Sequence, residues 1–136
     1  MEEKLSDRIC KEAFNEFYIN KNYNKSLSLS KKVYRLLMRN NIKETKDRYY
    51  IWMILIVIIR SYNNLNQIEK SLTWILLALR ESNLEYKKIE CYCYLIQYYT
   101  NKHNTNKINH YIKKCVESCV KIGEYRHLLE ITNKKV

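Results

Sequence analysis

Cysteine and histidine are the residues of this chain best suited to chemistry. Cys91-x-Cys93 and Cys115-x3-Cys119 flank a polar stretch that holds His103, with His110 just beyond it. Four thiolates beside an imidazole bind zinc when they converge on one point. The spacing works against convergence. On a helix Cys91 and Cys93 stand about 200° apart. Cys115 and Cys119 fall on the apolar side of their segment, with Ile108, Ile112 and Val116. Free cysteine is among the most buried residue types, so small core thiols are the expectation, with no metal and no cofactor. The five cysteines include Cys10, and their odd number suits a reducing, cytoplasmic setting better than a disulfide framework.

Other catalytic sets are missing. There is no H-E-x-x-H, and His103, His110 and His127 have no Ser and Asp in a triad order. The single glycine, Gly123, excludes a Gly-rich phosphate loop. The chain is therefore read as non-catalytic.

Charge offers more. The 136 residues carry a net charge of +11. Phe17 to Lys43 holds seven Lys or Arg and no acid, and Cys91 to Val116 holds four Lys and no acid. Such a field attracts acidic proteins, nucleic acid or anionic lipid, although it also serves plain solubility. The opening MEEKLSDRICKEAF has neither the apolar core of a signal peptide nor the basic character of a transit peptide.

These residues need a scaffold, and the pattern predicts helices. Proline is absent, which together with one glycine argues against an all-β fold. Tyr49 to Ile59 is an unbroken apolar run between Arg48 and Arg60. As a helix it is about 16 Å long, too short to span a bilayer. A helix apolar all round belongs in the middle of a bundle or solenoid, and a buried strand is the rival reading. The expected helices are Leu5–Ile19, capped by Ser6 or Asp7; Asn24–Arg39; Lys43–Tyr62; Gln67–Ser82, with Ile68, Leu72, Ile75, Leu76 and Leu79 inward; Leu84–Thr100; and Lys107–Ile122, stopped by Gly123. A short last helix is expected over Glu124–Thr132. Asparagines 20, 22, 40, 41, 63, 64, 66, 83, 101, 104 and 106 are expected to take the turns and left-handed helix ends. The result is one all-α domain over 1–136, with hairpins at about 5–39, 43–82 and 84–122 and a cap at 124–132.

The three hairpins superpose by residue type. Ser26, Ser71 and Ile108 are equivalent, followed seven residues on by Val33, Ala78 and Cys115 and preceded nine back by Phe17, Tyr62 and Tyr99. SLTWILLAL (Ser71–Leu79), and more weakly SLSLSKKVY (Ser26–Tyr34), resembles the tetratricopeptide (TPR) repeat, an array of helical hairpins of about 34 residues. The long, degenerate spacing also looks like the sensor domains of bacterial peptide-pheromone receptors. Phe14, Ile59 and Ile96 stand where that family has a small residue, and its inter-repeat proline is missing. Wider helix packing, or a compact helical bundle, is the alternative to an α-α superhelix.

The resemblance implies a protein- or peptide-binding groove lined by the first helix of each hairpin. By position that groove would present Arg8, Lys11, Asn15 and Tyr18, then Arg60, Asn63 and Asn64, then Cys93, Gln97 and Asn101. Lys11 and Asn15 match the family's carboxylate clamp, whereas Val57, Glu90 and Tyr94 replace its other members. The expected partner is an acidic protein or peptide. Two further readings stand beside it. Lys25, Lys32, Arg35 and Arg39 fall on one arc of the second helix and could track nucleic-acid phosphates, with Tyr23 and Tyr34 stacking on bases. Alternatively, exposed solenoid ends could drive self-association into a homodimer.

Overall fold

The computed structural model describes residues 4–39 and 45–123, with the side chains of 45–47 left aside. The expected last helix and cap lie outside the described residues. Six α-helices and one 3-10 turn make up the described chain, and it contains no strand. They are α1 (Leu5–Tyr18), α2 (Tyr23–Arg39), α3 (Thr45–Asn64), α4 (Leu72–Arg80), α5 (Glu85–Asn101) and α6 (Thr105–Ile122). The 3-10 turn, Ile68–Lys70, precedes α4. No helix among the described residues is long and apolar enough to cross a membrane. The chain divides into two compact units, 1–77 and 78–136, with the division inside α4.

In the first unit α1 packs on α2, α2 on α3, and α3 on α1 as well. The apolar run forms a helix and not a strand, and Ile54 to Ile59 are buried without interruption. Burial starts at Ile51; Tyr49 is exposed, and Trp52 and Met53 are half-buried. Ile9, Cys10, Ala13 and Phe17 of α1 and Val33 and Leu37 of α2 supply the facing core. The closest link between α1 and α2 is at Ala13, one residue before the expected Phe14. There the Ser26 hydroxyl donates to the Ala13 carbonyl at 2.8 Å, and both residues are fully buried. Phe14 is half-buried beside the contact.

Two local expectations fail in this unit. Neither Ser6 nor Asp7 caps α1. Lys4 holds that position without a side-chain bond, and Asp7 lies in the first turn, where its charge meets the positive end of the helix dipole. The helix expected over Gln67–Ser82 begins instead as a 3-10 turn. Asn66 adopts φ 58°, and the Ser71 hydroxyl donates to the Ile68 carbonyl at 2.6 Å, tightening the backbone before α4 starts. Leu76 is 44% exposed although it was expected inward. The buried face of this stretch runs through Ser71, Ile75, Ala78 and Ser82, and Leu76 lies more than about 100° round the helix from it.

In the second unit α5 and α6 form an antiparallel hairpin. Ile89 and Ile96 of α5 meet Ile112, Cys115 and Cys119 of α6, flanked by Tyr92, Cys93, Ile108, Tyr111 and Val116. Asn104 caps α6, its side-chain oxygen accepting from the Lys107 N–H at 3.1 Å. Gly123 ends it in the left-handed conformation, φ 68°, with its N–H returning to Val120 and Cys119. At the open end Glu85 lies 3.8 Å from both Lys88 and Lys121.

Candidate functional site

The four first-helix candidates come together. Arg8, Lys11, Asn15 and Tyr18 are all exposed, within an arc of about 80° on α1. The opposite side carries Ile9, Ala13, Glu16 and Phe17, all buried. Tyr18 is braced edge-on by Phe17 at 4.8 Å between ring centres, so a flexible position becomes a supported ring. Beside this face α1 and α2 are tied by charge. Lys25 reaches Glu16 at 3.5 Å and Glu12 at 3.9 Å, and the Asn20 amide donates to Glu16 at 3.1 Å.

The α3 candidates sit at that helix's C-terminal end. Arg60 and Asn63 are half-buried and Asn64 is exposed, its amide donating to the Arg60 carbonyl at 2.8 Å. The side-chain oxygen of Asn63 is buried and accepts no hydrogen bond among the described residues. In the second unit Gln97 and Asn101 are exposed on α5. Cys93, expected with them, is instead packed against the hairpin core.

Cys91 and Cys93 separate as their angular spacing demands, and Cys93 lies with Cys115 and Cys119. Cys91 is fully buried, 3.6 Å from the Ser82 hydroxyl. Cys93 hydrogen-bonds to Cys115, which also meets Cys119. Those bonds and burial push the Cys115 thiol well up. Burial, with Asp7 nearby, pushes Cys10 up to about 12. Protonated thiols are poor nucleophiles and poor ligands. Among the described residues no group of three Cys, His, Asp or Glu side chains is arranged to hold a metal ion.

The basic arc of α2 is exposed throughout and lies opposite buried Ser26, Ser30, Val33 and Leu37. Lys25 is engaged by Glu12 and Glu16; Lys32, Arg35 and Arg39 meet no acid among the described residues. The rings expected to stack on bases are used elsewhere. Tyr34 packs edge-on against Trp74 at 5.5 Å and Tyr23 against Phe17 at 5.4 Å. Trp74 and Tyr62 also receive the Lys31 ammonium, at 5.8 Å and 4.9 Å.

Sequence reasoning missed one feature. Tyr92 and Tyr99 of α5 lie nearly parallel to Tyr111 of α6, at 6.3 Å and 29° and at 5.8 Å and 12°. The seven-residue interval between Tyr92 and Tyr99, with Tyr111 on the returning helix, was the available signal. Comparison of the chain with protein-family models, with curated proteins and with solved structures finds no match.

Proposed function

We propose that this chain is a non-catalytic binding module for an acidic protein or peptide segment, with the exposed face of α1 as its primary contact. The observation that carries the reading is the alignment of Arg8, Lys11, Asn15 and Tyr18 on one supported, solvent-facing arc. Two cations attract the partner's carboxylates. Asn15 both donates and accepts, so it can hold a peptide backbone. Arg8 can grip a carboxylate with two parallel hydrogen bonds. Arg60, Asn63 and Asn64 extend the same chemistry at the end of α3, and Gln97 and Asn101 offer it within the second unit. The TPR-like resemblance supports this use of first helices.

Isothermal titration of the full chain with acidic peptides tests the proposal. Replacing Arg8 and Lys11 together by Ala should weaken binding about tenfold, the scale of a lost charge-assisted bond. Asn15→Ala and Arg60→Ala should each weaken it by a smaller factor. Wild-type affinity in all three variants would remove α1 as the contact surface.

A further inference from the structure

We propose that Cys93 and Cys115 form a reversible disulfide latch, which locks α5 to α6 when the chain meets a low-molecular-weight disulfide. The latch does not rest on the peptide reading, since neither cysteine takes part in that contact.

Geometry is the first support. Cys93 of α5 packs into the core that holds Cys115 and Cys119 of α6, and its thiol is hydrogen-bonded to that of Cys115. A disulfide forms only between sulfurs that can be brought together without moving the backbone far, and these two are already in contact. Both helices belong to one compact unit.

Access is the second support, and it is unequal. Cys93 is half-buried, whereas Cys115 and Cys119 are buried. One thiol is open to a reagent, and its partner is open only to the first thiol. An accessible cysteine beside a resolving one is the usual layout of a redox-sensing pair. The remaining cysteines are badly placed for the role. Cys91 is fully buried against the Ser82 hydroxyl, and Cys10 is buried in the first unit. Cys119 also meets Cys115, but both stand on α6, so a bond between them would join nothing that the helix does not join already.

The chemistry is two thiol–disulfide exchanges. The Cys93 thiolate, its proton lost to solvent, attacks one sulfur of oxidised glutathione; the glutathione disulfide breaks and one glutathione thiolate leaves. Cys115 then gives its proton to that thiolate and attacks the Cys93 sulfur. The mixed disulfide breaks and the second glutathione leaves, taking a proton from solvent. Two protein thiols lose two electrons in total, and one glutathione disulfide becomes two thiols. The order of steps is built into the cluster. The hydrogen bond to Cys93 is the largest influence raising the Cys115 thiol, and charge on Cys93 adds to it. Both vanish once Cys93 is capped, so Cys115 gains reactivity when its target is in place. Burial remains, which makes the second exchange the slow one. Cys115 stays closed to outside reagents throughout. The finished bond closes the loop from Cys93 to Cys115 and holds the hairpin shut.

Incubating the full native chain with oxidised glutathione at pH 8, followed by intact-mass and tandem mass spectrometry, tests the latch. The wild-type mass should fall by two hydrogens with no glutathione retained, the bond should map to Cys93 and Cys115, and dithiothreitol should restore the starting mass. Amide hydrogen exchange in α5 and α6 should slow at least about tenfold on oxidation, while α1 is unchanged. Cys91→Ser and Cys119→Ser should still form the bond; Cys93→Ser and Cys115→Ala should not. Circular dichroism checks the fold of each variant, and the mapping on wild type needs none of them. A glutathione adduct that persists on Cys93, no reaction at all, a bond between any other pair, a bond formed only in denaturant, or unchanged exchange in the oxidised chain would each overturn the proposal.

Discussion

At the scale of single residues, asparagine and glycine divide the turn work in a way that composition alone obscured. Gly123 does what its position suggested, ending α6 with φ 68°. A Cβ added there would meet nothing within 4 Å, so the cost of Gly123→Ala is conformational and not steric. We expect a loss of about 1 kcal/mol, the price of a left-handed backbone for an L-residue. Thermal melting should show Gly123→Ala a few degrees below wild type and Gly123→Asn between the two. Of the asparagines, Asn66 takes a left-handed position as expected, with φ 58°, but the other two such positions among the described residues go elsewhere. Lys21 and His103, not asparagines, hold φ 53° and 56°. In both cases the next residue is an asparagine, Asn22 or Asn104, whose side-chain oxygen accepts the N–H three residues on. The short polar side chain is more useful as an N-cap, where it satisfies an orphan donor, than in the left-handed position just before it. The abundance of Asn marked the right loops. Which residue within each loop bends the chain depends on where the next helix needs its cap, and that was not legible from residue type.

At the scale of elements, helix type and approximate span could be read from periodicity, because a 3.6-residue pattern and a long apolar run both have few alternatives. α3 is the clearest instance: its apolar run had to be covered, and Ile54 to Ile59 are buried. What periodicity could not assign was the buried face of α4. Ile75 is buried as expected, but the rest of the buried face is Ala78 with Ser71 and Ser82 just outside the helix, while Leu76 is exposed. Small residues let backbones approach closely, and no hydropathy pattern records that. The same holds for the tyrosines of α5, whose partner ring arrives from another helix. One ion-pair cluster makes the α5–α6 hairpin sensitive to pH. The Ser118 hydroxyl is the main influence that holds the Glu85 carboxyl below its usual range; burial opposes it, and Lys88 and Lys121 each add a smaller lowering effect. A depressed folded-state pKa gives stability that is present above the unfolded value and is lost as pH falls through the folded one. Acid melts should therefore show wild type losing stability below about pH 4.5, its ordinary value. Glu85→Gln should be less stable than wild type at pH 7 and should lose less on acidification. Parallel pH profiles for the two proteins would show that Glu85 contributes nothing.

At the scale of the whole molecule, the five cysteines report on the entire fold, because they are spread from α1 to α6. All five are free, and four are buried: Cys10 in the first unit and Cys91, Cys115 and Cys119 in the second. Attack on a thiol reagent needs the thiolate and access to it. Burial denies access. It also raises the Cys10 thiol to about 12, and burial with hydrogen bonds to Cys93 and Cys119 raises Cys115. A native chain at pH 8 should therefore react quickly at no more than one position, Cys93, which is half-buried. The other four should react only as fast as the fold opens. Denaturant should release all of them, and labelling followed by mass spectrometry separates the positions. The division into two compact units adds a sharper expectation. If the units open together, Cys10 and Cys115 will be labelled at the same rate at every denaturant concentration. If each opens on its own, the two rates will diverge, since local openings span free energies from near zero to the global value. Fast labelling of Cys10 or Cys115 in the native state would contradict the packing of the unit that holds it. It would also remove the physical basis for treating the cysteines as core residues and not as a reactive or metal-binding site.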